Sequence, residues 1–378
     1  MMSEAGPQLS EAGAQTPPKV GGGPHTWVLM GRKEGDNRQL QALVETLGWA
    51  YETKRFTYRR SELLTNVLLG PNLLGMRAAE SSPLNPPWPE LILTAGRRNE
   101  PIARWIKRQS GGRTKLVHLG RPWARPEAFD LIVTTPQYRL PPRANILENE
   151  TVIHGLEPER LAEAAEALER RLPDMPRPLI AVLVGGSAGP FTLDAESARR
   201  LAKDVKVLAE REEGTLLVTT SARTTPEAAE ALQQALPGAG LFHRWRPGDA
   251  ENPYLGLLGL ADILVATGES ISMATEACAT GKPVYLFDMG RSWFSMRRPA
   301  RLPSLRELFA DYDRRALVYR LALAFGPRRL VRDLQVVPER LVASGRTAWL
   351  GEPAPKGRPP PLRDLERAAQ AVETLFAD

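Results

Sequence analysis

The hydrophobic positions of this chain form short, nearly continuous runs, each followed by a loop and then by residues with helical spacing. Thr26–Met30, Lys115–Leu119 and Leu131–Thr134 are such runs, which are typical of strands buried on both faces of a parallel sheet. Helical spacing follows the first run over Arg38–Leu47 and ends at Gly48. The repeated order of strand, loop and helix predicts an α/β fold built from doubly wound sheets.

The same pattern starts again after a break that is rich in proline. The break, 172–178, reads LPDMPRP, and apolar runs resume at Leu179–Val184. We therefore predict one domain over 25–172 and a second over 173–355. An amphipathic helix, Leu362–Phe376, is expected to pack back onto the first domain, so 362–378 is assigned to that domain. Residues 1–24, rich in Gly, Pro, Ala, Ser and Gln, are expected to form a disordered tail.

The composition is that of an ordinary globular protein, with 42% hydrophobic and 25% charged residues among 378. No apolar run reaches the roughly 18 residues of a membrane-spanning helix, and the N-terminus lacks the charge and hydropathy order of a signal peptide. The single cysteine, Cys278, excludes an internal disulfide. Its alanine-rich surroundings indicate a small buried residue rather than a nucleophile. These features predict a cytoplasmic protein.

Most of the formal net charge of +6 comes from one region. Residues 291–332 contain eleven arginines and three acidic residues, a local excess of +8. This region is either a solvated helical face or a surface that meets anionic lipid or a phosphorylated acceptor. The second interpretation predicts peripheral attachment at the inner face of a membrane. No nucleic acid is expected, because the basic residues are not interleaved with repeated aromatics and no zinc-finger or RNP motif occurs.

The chemistry-bearing residues were sought in the loops after the strands of the second half, because ligands of doubly wound sheets bind at the carboxyl ends of strands. The loop after Leu179–Val184 reads GGSAGPFTL. Its free amides suit phosphate oxygens, although the loop could equally be a tight turn. The loop after Thr215–Thr219 reads TSARTTPEA. Its arginine, Arg223, matches a pair of phosphate oxygens, with a plain surface arginine as the alternative, and its hydroxyl residues can cap the helix that Pro226 opens.

Aromatic residues flank the next loop, RPGDAENPYLGLLGLAD, which follows the run Gly240–Trp245. Asn252 is expected to be a helix N-cap, with Pro253 at the first helical position. Trp245 and Tyr254 are then candidates for contacts to a nucleotide base. Packing in the core is an equally good interpretation for both aromatics.

The stretch ATGESISMATEACATGKPV, residues 266–284, places a carboxylate on a helix of small residues. Gly268 permits a tight exit from the preceding strand, and Ser270 and Ser272 lie at the helix start, where amides and the helix dipole suit an anion. Glu276 lies one turn after Ser272 on the same face, where its carboxylate can accept hydrogen bonds from a ribose diol. The alternative is an ordinary solvated glutamate. The predicted substrate-binding residues are Gly185, Gly186, Ser187, Gly189, Ser221, Arg223, Trp245, Asn252, Tyr254, Gly268, Ser270, Ser272 and Glu276.

A general base is sought in the loops of the first domain, because transfer to a hydroxyl group needs a proton acceptor. Glu34, Asp36 and His118 are the candidates. We choose Asp36 as the catalytic residue, with a structural role as the N-cap of the following helix as the alternative. The segment Asp311-Tyr312-Asp313 has the D-x-D form of a metal site, but no strand precedes it and arginines surround it. We therefore expect no metal there.

Two resemblances extend this interpretation. DILVATGESISMATEACATGKPV resembles the donor-site segment of GT-B glycosyltransferases, especially the peptidoglycan lipid-intermediate N-acetylglucosaminyltransferase. Glu276 matches the glutamate that binds the nucleotide ribose there, and Gly281-Lys282-Pro283 matches its Gly-Lys/Arg-Pro. Ser270 stands where that family has a glycine, so the local loop shape is expected to differ.

The second resemblance covers nearly all of the chain after the tail. GDNRQLQALVETLGW, GRRNEPIARWIKR, FDLIVTTPQY, LVGGSAGPFTL, TTSARTTPEA, ENPYLGLLGLADILVATGESISMATEA and TGKPVYLF occur in this order, and together they resemble the mitochondrial-fission ELM-like family. Bacterial members are described as nucleoside-diphosphate-sugar enzymes, and plant members are fission factors that recruit a dynamin-related protein.

These resemblances imply a GT-B type fold, with two Rossmann-like domains facing a central cleft, the donor on the second and the acceptor on the first. They imply a metal-independent glycosyltransferase that uses a nucleoside-diphosphate sugar and needs no cofactor. Its acceptor would be a cell-envelope lipid or saccharide. A nucleotide-sugar epimerase on the same fold and a non-catalytic, fission-factor-like adaptor remain the alternatives.

Overall fold

The computed structural model describes residues 22–59, 70–291, 295–297, 314–326, 331–355 and 359–377. The predicted disordered tail lies almost wholly outside the described residues, as does Asp311-Tyr312-Asp313. Among the described residues, no helix is long and apolar enough to cross a membrane.

The first sheet has six parallel strands in the order β2-β1-β3-β4-β5-β6. The strands are β1 (Thr26–Met30), β2 (Tyr51–Arg55), β3 (Leu91–Ala95), β4 (Lys115–Leu119), β5 (Leu131–Thr134) and β6 (Ile146–Glu148). Helix α1 (Glu34–Leu47) connects β1 to β2, and α2 (Glu100–Gln109) connects β3 to β4. Strands β1 and β3 are buried along their whole length, which is why their sequences are continuous apolar runs.

The second sheet also has six strands, in the order β12-β11-β10-β7-β8-β9. They are β7 (Leu179–Leu183), β8 (Thr215–Thr219), β9 (Leu241–His243), β10 (Ile263–Thr267), β11 (Val284–Phe287) and β12 (Ala348–Trp349). The helices between β6 and β11 are α3 (Pro158–Glu169), α4 (Ala195–Glu212), α5 (Pro226–Ala235), α6 (Tyr254–Leu260) and α7 (Ile271–Ala279). Three more helices follow β11, namely α8 (Arg314–Phe325), α9 (Val336–Ala343) and α10 (Asp364–Thr374).

The predicted α/β fold with two doubly wound, Rossmann-like parallel sheets is confirmed. Each sheet has one point where the strand order reverses, which is where ligands of such sheets bind. In the first sheet this switch point lies between β1 and β3, and in the second it lies between β7 and β10. The loops at these two positions are therefore the first places to look for a site.

Several helix starts are set by local capping. The Asp194 carboxylate accepts from the Ser197 amide at 2.8 Å and begins α4. Thr225 accepts from the Ala228 amide at 3.2 Å and begins α5, with Pro226 at the first helical position as predicted. Helix α1 begins earlier than predicted, at Glu34, and its N-cap is Lys33. The alternative role of Asp36 as an N-cap is therefore wrong, because Asp36 lies in the first turn.

Chain contacts divide the molecule into Met1–Asp130 and Leu131–Asp378, whereas the sequence suggested a boundary at 172. The difference arises because the segment around β6 binds residues near the C-terminus. The Asp364 carboxylate accepts from the amides of Glu150 and Thr151, both at 2.9 Å. Arg346 pairs with Glu150 at 2.8 Å, and α10 packs against β5.

Candidate functional site

The switch point of the second sheet is closed by a buried carboxylate. Glu269 directly follows Gly268 at the end of β10, and its side chain is 0% exposed. Its Oε1 accepts from the Gly186 amide at 2.7 Å and from Arg223 Nη2 at 3.2 Å. One carboxylate thus joins the loops after β7, β8 and β10.

The two predicted glycines of the β7 loop are required by this close approach. A Cβ at Gly185 would overlap the Glu269 carboxylate, and a Cβ at Gly186 would overlap the Arg223 carbonyl. The Gly185 amide donates to Thr267 Oγ1 at 2.9 Å, and the Gly186 amide is taken by Glu269. The expectation that both amides are free therefore does not hold for this loop, because the chain supplies its own acceptors.

The β8 loop is held to the same place. The Ser221 hydroxyl donates to the Gly185 carbonyl at 2.8 Å. Arg223 Nη2 donates to Ser270 Oγ at 3.1 Å as well as to Glu269. The Arg223 side chain is 45% exposed, so its guanidinium is anchored on one edge while other parts of it reach solvent.

Burial raises the pKa of Glu269, although Arg223, the Gly186 amide and the Thr267 hydroxyl favour the charged form. Desolvation is the largest of these effects. A carboxylate that is buried with a half-exposed cation costs free energy at neutral pH unless its hydrogen bonds are kept. Such groups with perturbed pKa occur preferentially at functional sites.

Helix α7 begins beside this carboxylate. Ser270 is its N-cap residue but makes no side-chain cap hydrogen bond, because its hydroxyl accepts from Arg223. The predicted capping role of the Ser270 side chain is therefore wrong. Ser272 is exposed in the first turn, and Glu276 is partly buried. The Tyr254 hydroxyl donates to Glu276 Oε2, so Tyr254 and Glu276, both predicted site residues, are in contact.

The other predicted residues have mainly structural contacts. Ser187 Oγ accepts from the Leu193 amide at 2.9 Å, and the Trp245 amide donates to Thr220 Oγ1 at 2.9 Å. Gly189 has a left-handed φ of 57°, and a Cβ at Gly268 would press on Met296 and on the Phe287 carbonyl.

Asn252 lies one residue before the helix cap. The N-cap of α6 is Pro253, not Asn252 as predicted, and the Asn252 side chain accepts from the Tyr254 amide at 3.0 Å. This side-chain turn competes with regular capping and shifts the helix start by one residue.

Two residues of the resemblance motifs have a local structural role. Lys282 Nζ donates to the carbonyls of Leu258 and Gly259 at 2.9 and 2.5 Å and so caps the C-terminus of α6. Burial raises the pKa of the Cys278 thiol to about 12, which fits an unreactive buried residue.

In the first unit, the candidate base Asp36 lies in the first turn of α1. Its Oδ2 is 3.6 Å from the position that a Cβ on Gly96 would occupy, so it lies at the end of β3. His118 is fully buried, and desolvation lowers its pKa to about 4, against the opposing effect of the Gly120 and Gly96 backbones. Such burial removes His118 from contact with a substrate.

Glu269 was missed by sequence reasoning. Its signal was a glutamate placed one residue after a buried strand at a switch point, where small residues are usual. Among the described residues, no group of three or more His, Cys, Asp or Glu could hold a metal ion.

Comparison with known proteins assigns the family. The family model for mitochondrial fission ELM1 matches residues 34–307. The chain belongs to the mitochondrial fission ELM1 family. The ELM1 protein of Arabidopsis thaliana is 26% identical over 221 residues, which cover 52% of this chain and 51% of that protein. The matched part thus spans about half of the Arabidopsis protein. An uncharacterized protein of Rickettsia prowazekii (strain Madrid E) is 23% identical over 294 residues, covering 69% of this ELM1-family chain and 82% of that protein.

Solved structures with a related arrangement include three GT-B-like proteins. MurG of Acinetobacter baumannii covers 93% of this chain and 90% of its own, with 13% identity and a TM-score of 0.40. The UDP-GlcNAc 2-epimerase of Neisseria meningitidis, bound to UDP-GlcNAc, covers 94% and 100% with 12% identity and a TM-score of 0.45. A glycosyltransferase of Rickettsia africae covers 94% and 99% with 11% identity and a TM-score of 0.45. TM-scores this low carry no functional assignment.

Proposed function

We propose that this ELM1-family chain is a metal-independent glycosyltransferase that uses a nucleoside-diphosphate sugar. The observation that carries the proposal is the anchoring of Arg223 by the buried Glu269 beside the start of α7, at the switch point of the second sheet. A guanidinium fixed on one edge keeps its remaining donors ready for an incoming anion.

The diphosphate would lie between Arg223 and the first turn of α7. Ser270 leaves the first amides of this helix uncapped by its own side chain, and a helix N-terminus favours an anion. When the sugar is transferred, negative charge develops on the departing diphosphate. The fixed guanidinium and the amides would stabilise this charge without a metal ion.

The ribose would be held by Glu276. Its carboxylate is partly buried and already accepts from the Tyr254 hydroxyl, so its side chain is oriented before a ligand binds. The remaining lone pairs of a carboxylate suffice to accept from a ribose diol. Tyr254 is therefore a positioning residue for Glu276.

The transfer would join an oxygen of the acceptor to the anomeric carbon of the sugar. The bond from that carbon to the diphosphate oxygen breaks, and the nucleoside diphosphate leaves with the electron pair. Asp36 is our candidate to accept the proton of the acceptor hydroxyl. We propose a cell-envelope lipid or saccharide as the acceptor and peripheral attachment at the inner face of a membrane, supported by the arginine-rich sequence 291–332. Flotation that fails with anionic liposomes at low salt would contradict this attachment.

One observation favours a second candidate, a non-catalytic adaptor that keeps the fold. Glu269 occupies the Gly186 amide and one edge of Arg223, so an internal anion already takes donors that a phosphate would use. In an adaptor, this carboxylate would serve only to close the loops.

A thermal-shift screen of nucleoside diphosphates and their sugars, followed by product analysis with a labelled donor, tests the proposal. Transfer of label to an acceptor with release of nucleoside diphosphate supports a transferase. A changed sugar on the same nucleotide indicates an epimerase instead. The absence of any thermal shift across the panel would favour the adaptor.

A further inference from the structure

Three neighbouring strands of the first sheet end in the same dipeptide. Strand β1 is followed by Gly31-Arg32, β3 by Gly96-Arg97 and β4 by Gly120-Arg121. Because β1, β3 and β4 are adjacent in the sheet, these dipeptides lie at the same edge.

The strand registers place the three pairs side by side. Thr26 pairs with Leu91, an offset of 65 residues, and Leu91 pairs with Lys115, an offset of 24. Continued past the strand ends, these offsets align Arg32 with Arg97 and Arg97 with Arg121. Neighbouring strands lie about 4.8 Å apart, and like charges directly opposite one another are destabilising. We call Arg32, Arg97 and Arg121 the arginine row.

The arginine row lies across the switch point between β1 and β3, the position where such sheets bind ligands. Helices α1 and α2 both begin next to it. Their N-cap residues, Lys33 and Asn99, make no side-chain cap hydrogen bond. The Asn99 side chain instead donates to the Leu29 carbonyl at 2.7 Å. Two helix N-termini therefore add their dipoles to the three cations.

The backbone and one aromatic residue hold the row in place. Gly96 and Gly120 have left-handed φ values of 73° and 86°, which other residues rarely adopt. The guanidinium of Arg97 lies 4.9 Å from the ring of Trp123, and the Trp123 amide donates to the buried Glu100 at 2.7 Å. Stacking fixes the plane of a guanidinium, and the fork of N–H groups in that plane matches the oxygens of a phosphate.

The nearby acids do not cancel this charge. The loops contribute Arg32, Lys33, Arg97, Arg98, Arg121 and Arg125 against Glu34, Asp36, Glu100 and Glu127. Glu100 is buried, accepts from the Trp123 and Ala124 amides and lies 3.7 Å from Arg104. Its charge is therefore directed toward its own loop.

We propose that the arginine row binds a phosphate or diphosphate group of a ligand. The three in-register cations and the two helix starts form a site of their own within the first unit. If the proposed transfer is correct, on which this clause alone rests, the phosphate belongs to the acceptor, because Asp36 lies beside Gly96 in the middle of the row.

Calorimetric titration with inorganic pyrophosphate at low salt tests the site. It is performed in an Arg223→Gln background, so that the candidate donor site does not contribute. Arg97→Gln and Arg121→Gln should each weaken binding about tenfold, the effect of losing a charge-assisted hydrogen bond. Arg113→Gln is the matched control, because this exposed arginine precedes β4 at the opposite end of the same strand.

A second arm separates a soluble phosphate from a lipid headgroup. Vesicles of phosphatidic acid in phosphatidylcholine are compared with phosphatidylcholine alone. Binding of pyrophosphate, or of phosphatidic acid vesicles only, that is lost in the Arg97 and Arg121 variants supports the site and identifies its source. No binding of either probe, or equal loss in Arg113→Gln, overturns it. These outcomes do not depend on nucleotide binding, so this proposal and the proposed function can fail separately.

Discussion

Replacing Glu269 should separate its hydrogen-bonding role from its charge. In Glu269→Ala, the buried Gly186 amide loses its acceptor at 2.7 Å, which costs about 1–3 kcal/mol. The loss of the Arg223 contact adds little, because that side chain is 45% exposed and its charge can be solvated. Relief of carboxylate desolvation offsets part of the cost. We expect a net loss of about 2 kcal/mol in the free energy of unfolding.

Glu269→Gln keeps the shape of the side chain and an oxygen for the Gly186 amide. It removes a charge whose burial raises the pKa, so its stability should lie within about 1 kcal/mol of the parent. Because the folded-state pKa is raised, stability from this group is fully present below the unfolded pKa and is lost as the pH rises through the folded pKa. The glutamine variant should lack this loss.

Urea unfolding of both variants between pH 4 and pH 8, values chosen to span about the ordinary carboxyl pKa and neutrality, measures these effects. Glu163→Ala, on the exposed face of α3, is the matched control and should change little. Equal losses in the alanine and glutamine variants would refute the reasoning, because the hydrogen bond to Gly186 would then not matter. An alanine variant as stable as the control would refute it as well.

Three further predictions concern single side chains. His118 has a pKa lowered from 6.5 to about 4, so stability should fall by about 3 kcal/mol as the pH drops through this window; His118→Leu should flatten that fall in acid unfolding curves, and an unchanged slope would contradict the assignment. Lys282→Met should lower stability by about 1 kcal/mol in urea unfolding, because α6 loses its C-terminal cap; full stability would show that the cap contributes nothing. Gly186→Ala should cost about 3 kcal/mol, since its Cβ would overlap the Arg223 carbonyl; a melting temperature equal to that of the parent would disprove this close approach.

The sequence predicted the buried strands well and the polar ones poorly. Thr26–Met30 and Lys115–Leu119 were predicted with the observed bounds, because a short, continuous apolar run bounded by turn residues is typical of a buried strand. Strand β2, YETKR, is half exposed and carries no such signal. The two-residue strand β12 is too short for any pattern.

The candidate site was located by topology but not resolved in its contacts. The loops after β7, β8 and β10 could be chosen because ligands bind at strand ends. The burial of Glu269 could not be predicted, since it depends on Gly186, which lies 83 residues away in the chain. For the same reason, the pairing of Tyr254 with Glu276 was not predicted, although both residues were chosen.

Calorimetry with UDP, GDP and ADP tests the central claim most directly. The account predicts that at least one of them binds the parent chain and that Arg223→Gln and Glu276→Gln each weaken this binding about tenfold. Arg199→Gln, an exposed change on α4, should leave it unchanged. No binding by any of the three nucleotides, or equal affinity in all variants, would contradict the account.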